Sequence, residues 1–130
     1  MVLAWVLPDE YSEEADRFFS LISPEDPLWV PCLWWFEITN ALVAARRRDR
    51  LTEAEAVRAI HLLGELRVET DGVIGVDIAW RWQTIAETHG LSVYDAAYFE
   101  LSQRKAAGLA TLDEKLKHVS QKVGVPLPQS

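Results

Sequence analysis

The chain has 130 residues, 49% of them hydrophobic and 25% charged, with a formal net charge of −7. This is the size and composition of one globular domain that can bury a core without staples. The single cysteine, Cys32, excludes an internal disulfide, no apolar stretch reaches the ~20 residues needed to span a bilayer, and the acidity disfavours a simple electrostatic binder of nucleic acid. Met1 to Leu7 has no basic leader or small-residue cleavage pattern, so the cytoplasm is the expected compartment.

In chain order, Val2 to Leu7 reads as a short apolar helix or strand stopped by Pro8. Ser12 caps a predicted helix to Ile22, and Leu28-Trp29-Val30 reads as a strand ended by Pro31. A helix is predicted from Leu33 to Arg48, with Trp34, Ile38, Ala41, Leu42 and Ala45 as its apolar stripe. Thr52-Glu53-Ala54-Glu55 has the pattern of a capping box, opening a helix that ends at Gly64. Leu66 to Thr70 follows as a strand. Asp77 is the expected cap of a helix from Ile78 to His89, closed by Gly90. Ser92 caps the next, with Tyr94, Ala97, Tyr98 and Leu101 turned inward. Gly108 to Thr111 reads as a buried strand, Thr111 as the cap of a helix to Lys122, and Val125 to Leu127 as a last strand. Short strands separated by helices need crossover connections, so the sheet is mostly parallel, and sites in such sheets lie beyond the strands' carboxyl ends.

Three acids stand out by position. Glu37 lies early in its helix beside the apolar stripe, with Trp34 three residues before it and Ala41 four after, so its carboxylate is expected near the core. The bland alternative is a boundary glutamate paired at a distance. Asp95 lies in a first turn, and Ser92 to Asp95 itself reads as a capping box, so on local grounds helix capping is the stronger reading. Asp113 follows the strand that ends at Thr111, where it can also serve the helix dipole; Glu114 completes a capping box with Thr111. Together, carboxylates at one sheet edge supply the hard oxygen donors that Mg²⁺ or Mn²⁺ prefers, which points to metal-assisted cleavage of a phosphodiester. Thr111 can order a ligand or a water, and Asn40, one turn after Glu37, can orient that carboxylate.

Four segments carry a resemblance: Leu3 to Glu10, Trp34 to Leu42, Gly90 to Tyr98 and Leu109 to Asp113. In this order they resemble the PIN-domain family, and within it the VapC-type toxins. The resemblance implies a PIN-like α/β three-layer sandwich over residues 1–130, with a short, mostly parallel sheet flanked by helices. It implies a Mg²⁺- or Mn²⁺-dependent endoribonuclease, the toxin of a type II toxin–antitoxin pair, acting on RNA, often as a homodimer, and restrained by an antitoxin protein. Glu37, Asp95 and Asp113 fall on the family's acidic positions, Thr111 on its accessory hydroxyl and Asn40 on a frequent polar neighbour. The family's pattern usually opens with a strand that ends in a further Asp, absent from this sequence; Asp9 is not its equivalent. Weak turnover is therefore the expectation, with a binding module that keeps antitoxin or RNA contacts as the alternative.

Arg46, Arg47 and Arg48 end a helix, where cations complement the dipole; the functional alternative is contact with RNA phosphate or an acidic antitoxin segment. His61, His89 and His118 lack metal-ligand spacing, and Cys32 has no basic neighbour to activate it. Trp34 and Trp35 cannot share a helix face, so one is expected to reach a surface or a second hydrophobic layer.

Overall fold

The computed structural model describes residues 27–107 with Leu109, Leu116, His118 and Val119. The elements expected at 2–7, 12–22 and 125–127 lie outside the described residues, as do Thr111 and Asp113. Six elements follow in order: β1 (Leu28–Pro31), α1 (Leu33–Arg47), α2 (Glu53–Gly64), β2 (Val68–Asp71), α3 (Val76–His89) and α4 (Val93–Arg104). β1 and β2 pair in a short parallel sheet, with α1 and α2 as the crossover between them. The α/β class is therefore as the sequence reads. Pro31 belongs to β1 instead of ending it, at a strand terminus where its missing N–H costs least. β2 begins at Val68, two residues later than expected, because Leu66 is spent closing α2, its N–H donating to the Leu63 carbonyl at 3.2 Å.

The chain divides into two compact units. The first holds α1 and α2, which pack together. On α1, Trp34, Ile38, Leu42 and Ala45 are buried at helical spacing, with Ala41 half-buried beside them, so the predicted stripe is the buried face. Trp34 is buried and Trp35 exposed, their rings edge-to-face with centroids 4.8 Å apart. α1 closes with the Arg50 N–H donating to the Ala45 carbonyl at 2.9 Å and Asp49 in the left-handed region at φ 55°. α2 opens on the predicted capping box: Thr52 Oγ1 accepts from the Glu55 N–H at 3.1 Å, and Glu55 Oε1 accepts from the Thr52 N–H at 3.0 Å.

The second unit holds α3 and α4, packed against each other. Gly75, not Asp77, is the N-cap of α3, with φ 140°, a backbone conformation open to glycine and hardly to others. Asp77 lies inside the first turn, where it complements the dipole without capping. Gly90 closes α3 in the left-handed conformation, as read from the sequence. Ser92 caps α4. Tyr94 is 66% exposed, contrary to expectation: it lies in the first turn, ahead of the buried run that starts at Ala96. That run comprises Ala96, Ala97, Phe99, Glu100, Leu101 and Ser102. Phe99 centres a core with Leu91, Leu109, Leu116 and Val119, against which Ile85 and Tyr98 pack.

Candidate metal centre

Glu37 lies in the second turn of α1 and is exposed, not turned toward the core. The reason is angular. Trp34, Ile38, Leu42 and Ala45 define the buried stripe, and at about 100° per residue position 37 falls on its flank. Its carboxylate is thus reachable by a ligand, although it already interacts with the protein. Asn40, one turn on, is exposed too. Arg46, Arg47 and Arg48 are exposed at the carboxyl end of the same helix, Arg48 as its C-cap.

Asp95 belongs to the other unit, in the first turn of α4. Its N–H donates to Ser92 Oγ at 3.0 Å, which fixes the turn. This is the first half of the predicted capping box. The half-buried Asp95 carboxylate has no hydrogen bond or ion pair among the described residues. A carboxylate partly withdrawn from water without a partner is an open acceptor for a cation. Among the described residues no three His, Cys, Asp or Glu side chains form a group able to hold a metal ion. Of the three predicted ligands, these residues include two, Glu37 and Asp95. Carboxylate oxygens without thiolate or imidazole suit Mg²⁺ or Mn²⁺ rather than Zn²⁺, so the donor chemistry fits the expected ion.

A polar cluster that sequence reading missed lies in the second unit. Arg104 Nη1 and Nη2 donate to Asp71 Oδ1 and Oδ2 at 2.9 and 2.7 Å, a two-pronged pair. Arg104 Nε and Nη2 also donate to Glu100 Oε2 and Oε1, both at 2.9 Å. Arg81 Nη1 stands 3.3 Å from Glu100 Oε2. Glu100 is only 3% exposed, so its charge requires these cations. Hydrogen bonds from Arg104 hold the Asp71 carboxyl below its ordinary value of 3.8, against burial, which raises it. The two acids, Asp71 first, hold Arg104 firmly protonated. The i,i+4 spacing of Glu100 and Arg104 was the one legible signal; Asp71, 33 residues away from Arg104, gave none. Arg81, Glu100 and Arg104, with Trp80, Thr84, Ile85 and Gln103, line an open groove of about 400 Å³.

The model of the PIN domain matches residues 1–122. The chain is 33% identical over 119 residues to "Ribonuclease VapC3" of Pyrobaculum aerophilum, covering 88% of this chain and 86% of that protein. A solved structure, PAE2754 from Pyrobaculum aerophilum, is similar at a TM-score of 0.59 and 25% identity, over 88% of this chain and 72% of that one. Matched over nearly its whole length, the chain belongs to the PIN-domain family.

Proposed function

We propose that this protein is a Mg²⁺- or Mn²⁺-dependent endoribonuclease, the toxin of a type II toxin–antitoxin pair, in which Glu37, Asp95 and Asp113 hold the ion. The observation that carries the reading is the half-buried Asp95 at the first turn of α4, whose carboxylate has no partner among the described residues. Family membership and likeness to a protein named as a VapC ribonuclease support it. When bound, the ion supplies an activated water and offsets charge at the phosphoryl oxygens. Ser92 fixes the turn that presents Asp95, and Glu37 offers its carboxylate from the flank of α1. Asn40 and Thr111 orient the acids, and Arg46, Arg47 and Arg48 contact RNA phosphate or an acidic stretch of the antitoxin. A homodimer in the cytoplasm completes the proposal; no described helix is long and apolar enough to cross a membrane.

The test is cleavage of single-stranded RNA with and without Mn²⁺, together with Mn²⁺ titration. Mn²⁺ binding with a raised Tm and weak metal-dependent cleavage, in line with the missing first Asp, are expected, all lost in Asp95→Asn. No Mn²⁺ binding by the parent chain, or unaltered binding by Asp95→Asn, overturns the assignment.

A further inference from the structure

The buried residues of α4 do not form a stripe. Ala96, Ala97, Phe99, Glu100, Leu101 and Ser102 occupy most directions around its axis. A helix buried on one stripe is fixed in rotation by its apolar face, whereas a helix buried all round has no solvent face to set its rotation and relies on side-chain packing. Phe99 and Leu101 set that packing coarsely, while Ala96, Ala97 and Ser102 are small and interlock little. A directional contact on α4 is the Arg104 fork, gripping both oxygens of Asp71 at the end of β2. Through Glu100 it is joined to Arg81 on α3. Arg104 stands nine residues after Asp95, which at about 100° per residue puts the two on opposite sides of α4, roughly 13 Å apart along its axis.

We propose that Asp71 and Arg104 are positioning residues: their two-pronged pair fixes the rotation of α4 and thereby the direction of the Asp95 carboxylate toward the metal. The inference rests on the metal-site reading above. Its size is set by the geometry. Side chains extend about 5–6 Å from a helix axis, so a turn of ~20° carries a carboxylate roughly 2 Å. Metal–oxygen distances tolerate about 0.2 Å. A small slip in rotation therefore costs a ligand even though the helix remains folded. Replacing the fork by a point charge retains attraction to Asp71 but not direction, so Arg104→Lys is not conservative here.

The experiment is Mn²⁺ titration of the full chain by calorimetry, with Tm measured in parallel, on Asp71→Asn, Arg104→Lys and the milder Asp71→Glu. Asp71→Asn and Arg104→Lys are expected to weaken Mn²⁺ binding by roughly tenfold or more, because a carboxylate moved off the tolerated metal–oxygen distance no longer contributes its bond. Asp71→Glu should recover part of that loss. Leu63→Ala, a buried truncation on α2 in the other unit, is the control: its Tm falls but its Mn²⁺ affinity stays near that of the parent. Variants that bind Mn²⁺ like the parent, or a Leu63→Ala loss of equal size, reduce the pair to a stabilising contact and overturn the proposal. Failure of the parent itself to bind Mn²⁺ is a different result, because it removes the metal site along with this inference.

Discussion

α1 and α4 each carry an acid proposed for the metal, and the two helices are built in opposite ways. α1 buries one stripe, Trp34, Ile38, Leu42 and Ala45, with Leu33, Ala41 and Ala44 half-buried and the other residues exposed. Its rotation follows the buried stripe, and Glu37 is presented from the flank of that stripe. α4 is buried on most sides, carries a buried glutamate among its apolar residues, and is tied by a fork of hydrogen bonds. An acid on a surface helix needs no polar device to be aimed. An acid on a helix buried on most sides gains from one, because burial there singles out no one face.

The largest test of this contrast is the core itself. Phe99→Ala removes a side chain that is 1% exposed and should cost about 3–5 kcal/mol in urea unfolding. Next comes the clamp. Arg104→Ala strips Glu100 and Asp71 of their main cation and should cost about 3 kcal/mol. Arg47→Ala, on the exposed end of α1, should stay within about 0.5 kcal/mol. Similar losses from the two arginine substitutions would erase the distinction between the helices.

The clamp also has a pH signature. Because Arg104 depresses the folded-state pKa of Asp71, the folded protein holds that proton less tightly than the unfolded chain. The resulting stability is complete above the unfolded value, about 3.9, and is lost as pH falls through the folded one. Asp71→Asn cannot show this loss. Its unfolding free energy should therefore decline less steeply than the parent's as pH drops below about 4. Parallel acid limbs for the two proteins would show that Asp71 does not gain its charge stabilisation from the fold.

Much of this was legible from local chemistry. The α1 stripe, the Thr52 capping box, the Gly90 closure and the Ser92 cap each depend on residues within a few positions of one another, and all are found where the sequence puts them. The misreadings have a common cause. Asp77 looked like a cap because acids cap helices, but Gly75 can adopt a conformation that Asp77 cannot do without strain. Tyr94 was assigned inward by periodicity, which does not reveal where burial starts along a helix. Glu37 was set too deep because three- and four-residue neighbours fix a face only to within about a quarter turn. The Asp71–Arg104 pair was invisible because it is made by tertiary structure. Of the candidate site, position along the chain and the family's pattern supplied the acids, while the Asp71–Arg104 pair emerged only in three dimensions.

The smallest effect separates the ends of the same two helices. α1 and α4 finish alike, with a left-handed residue that is not glycine: Asp49 at φ 55° after α1 and Ala106 at φ 51° after α4. After α4 the Ala107 N–H donates to the Ser102 carbonyl at 3.0 Å, matching the Arg50 to Ala45 bond after α1. Left-handed alanine costs about 1–2 kcal/mol, and glycine gives back roughly 0.5–1 of that in chain entropy. Ala106→Gly should therefore stabilise by about 0.5–1 kcal/mol, seen as a Tm a few degrees higher. Asp49→Gly should gain less, because an aspartate side chain already eases the left-handed conformation by local hydrogen bonding. If Asp49→Gly gained the more, strain at the end of α1 would exceed that at the end of α4, and α4 would be the better finished of the two.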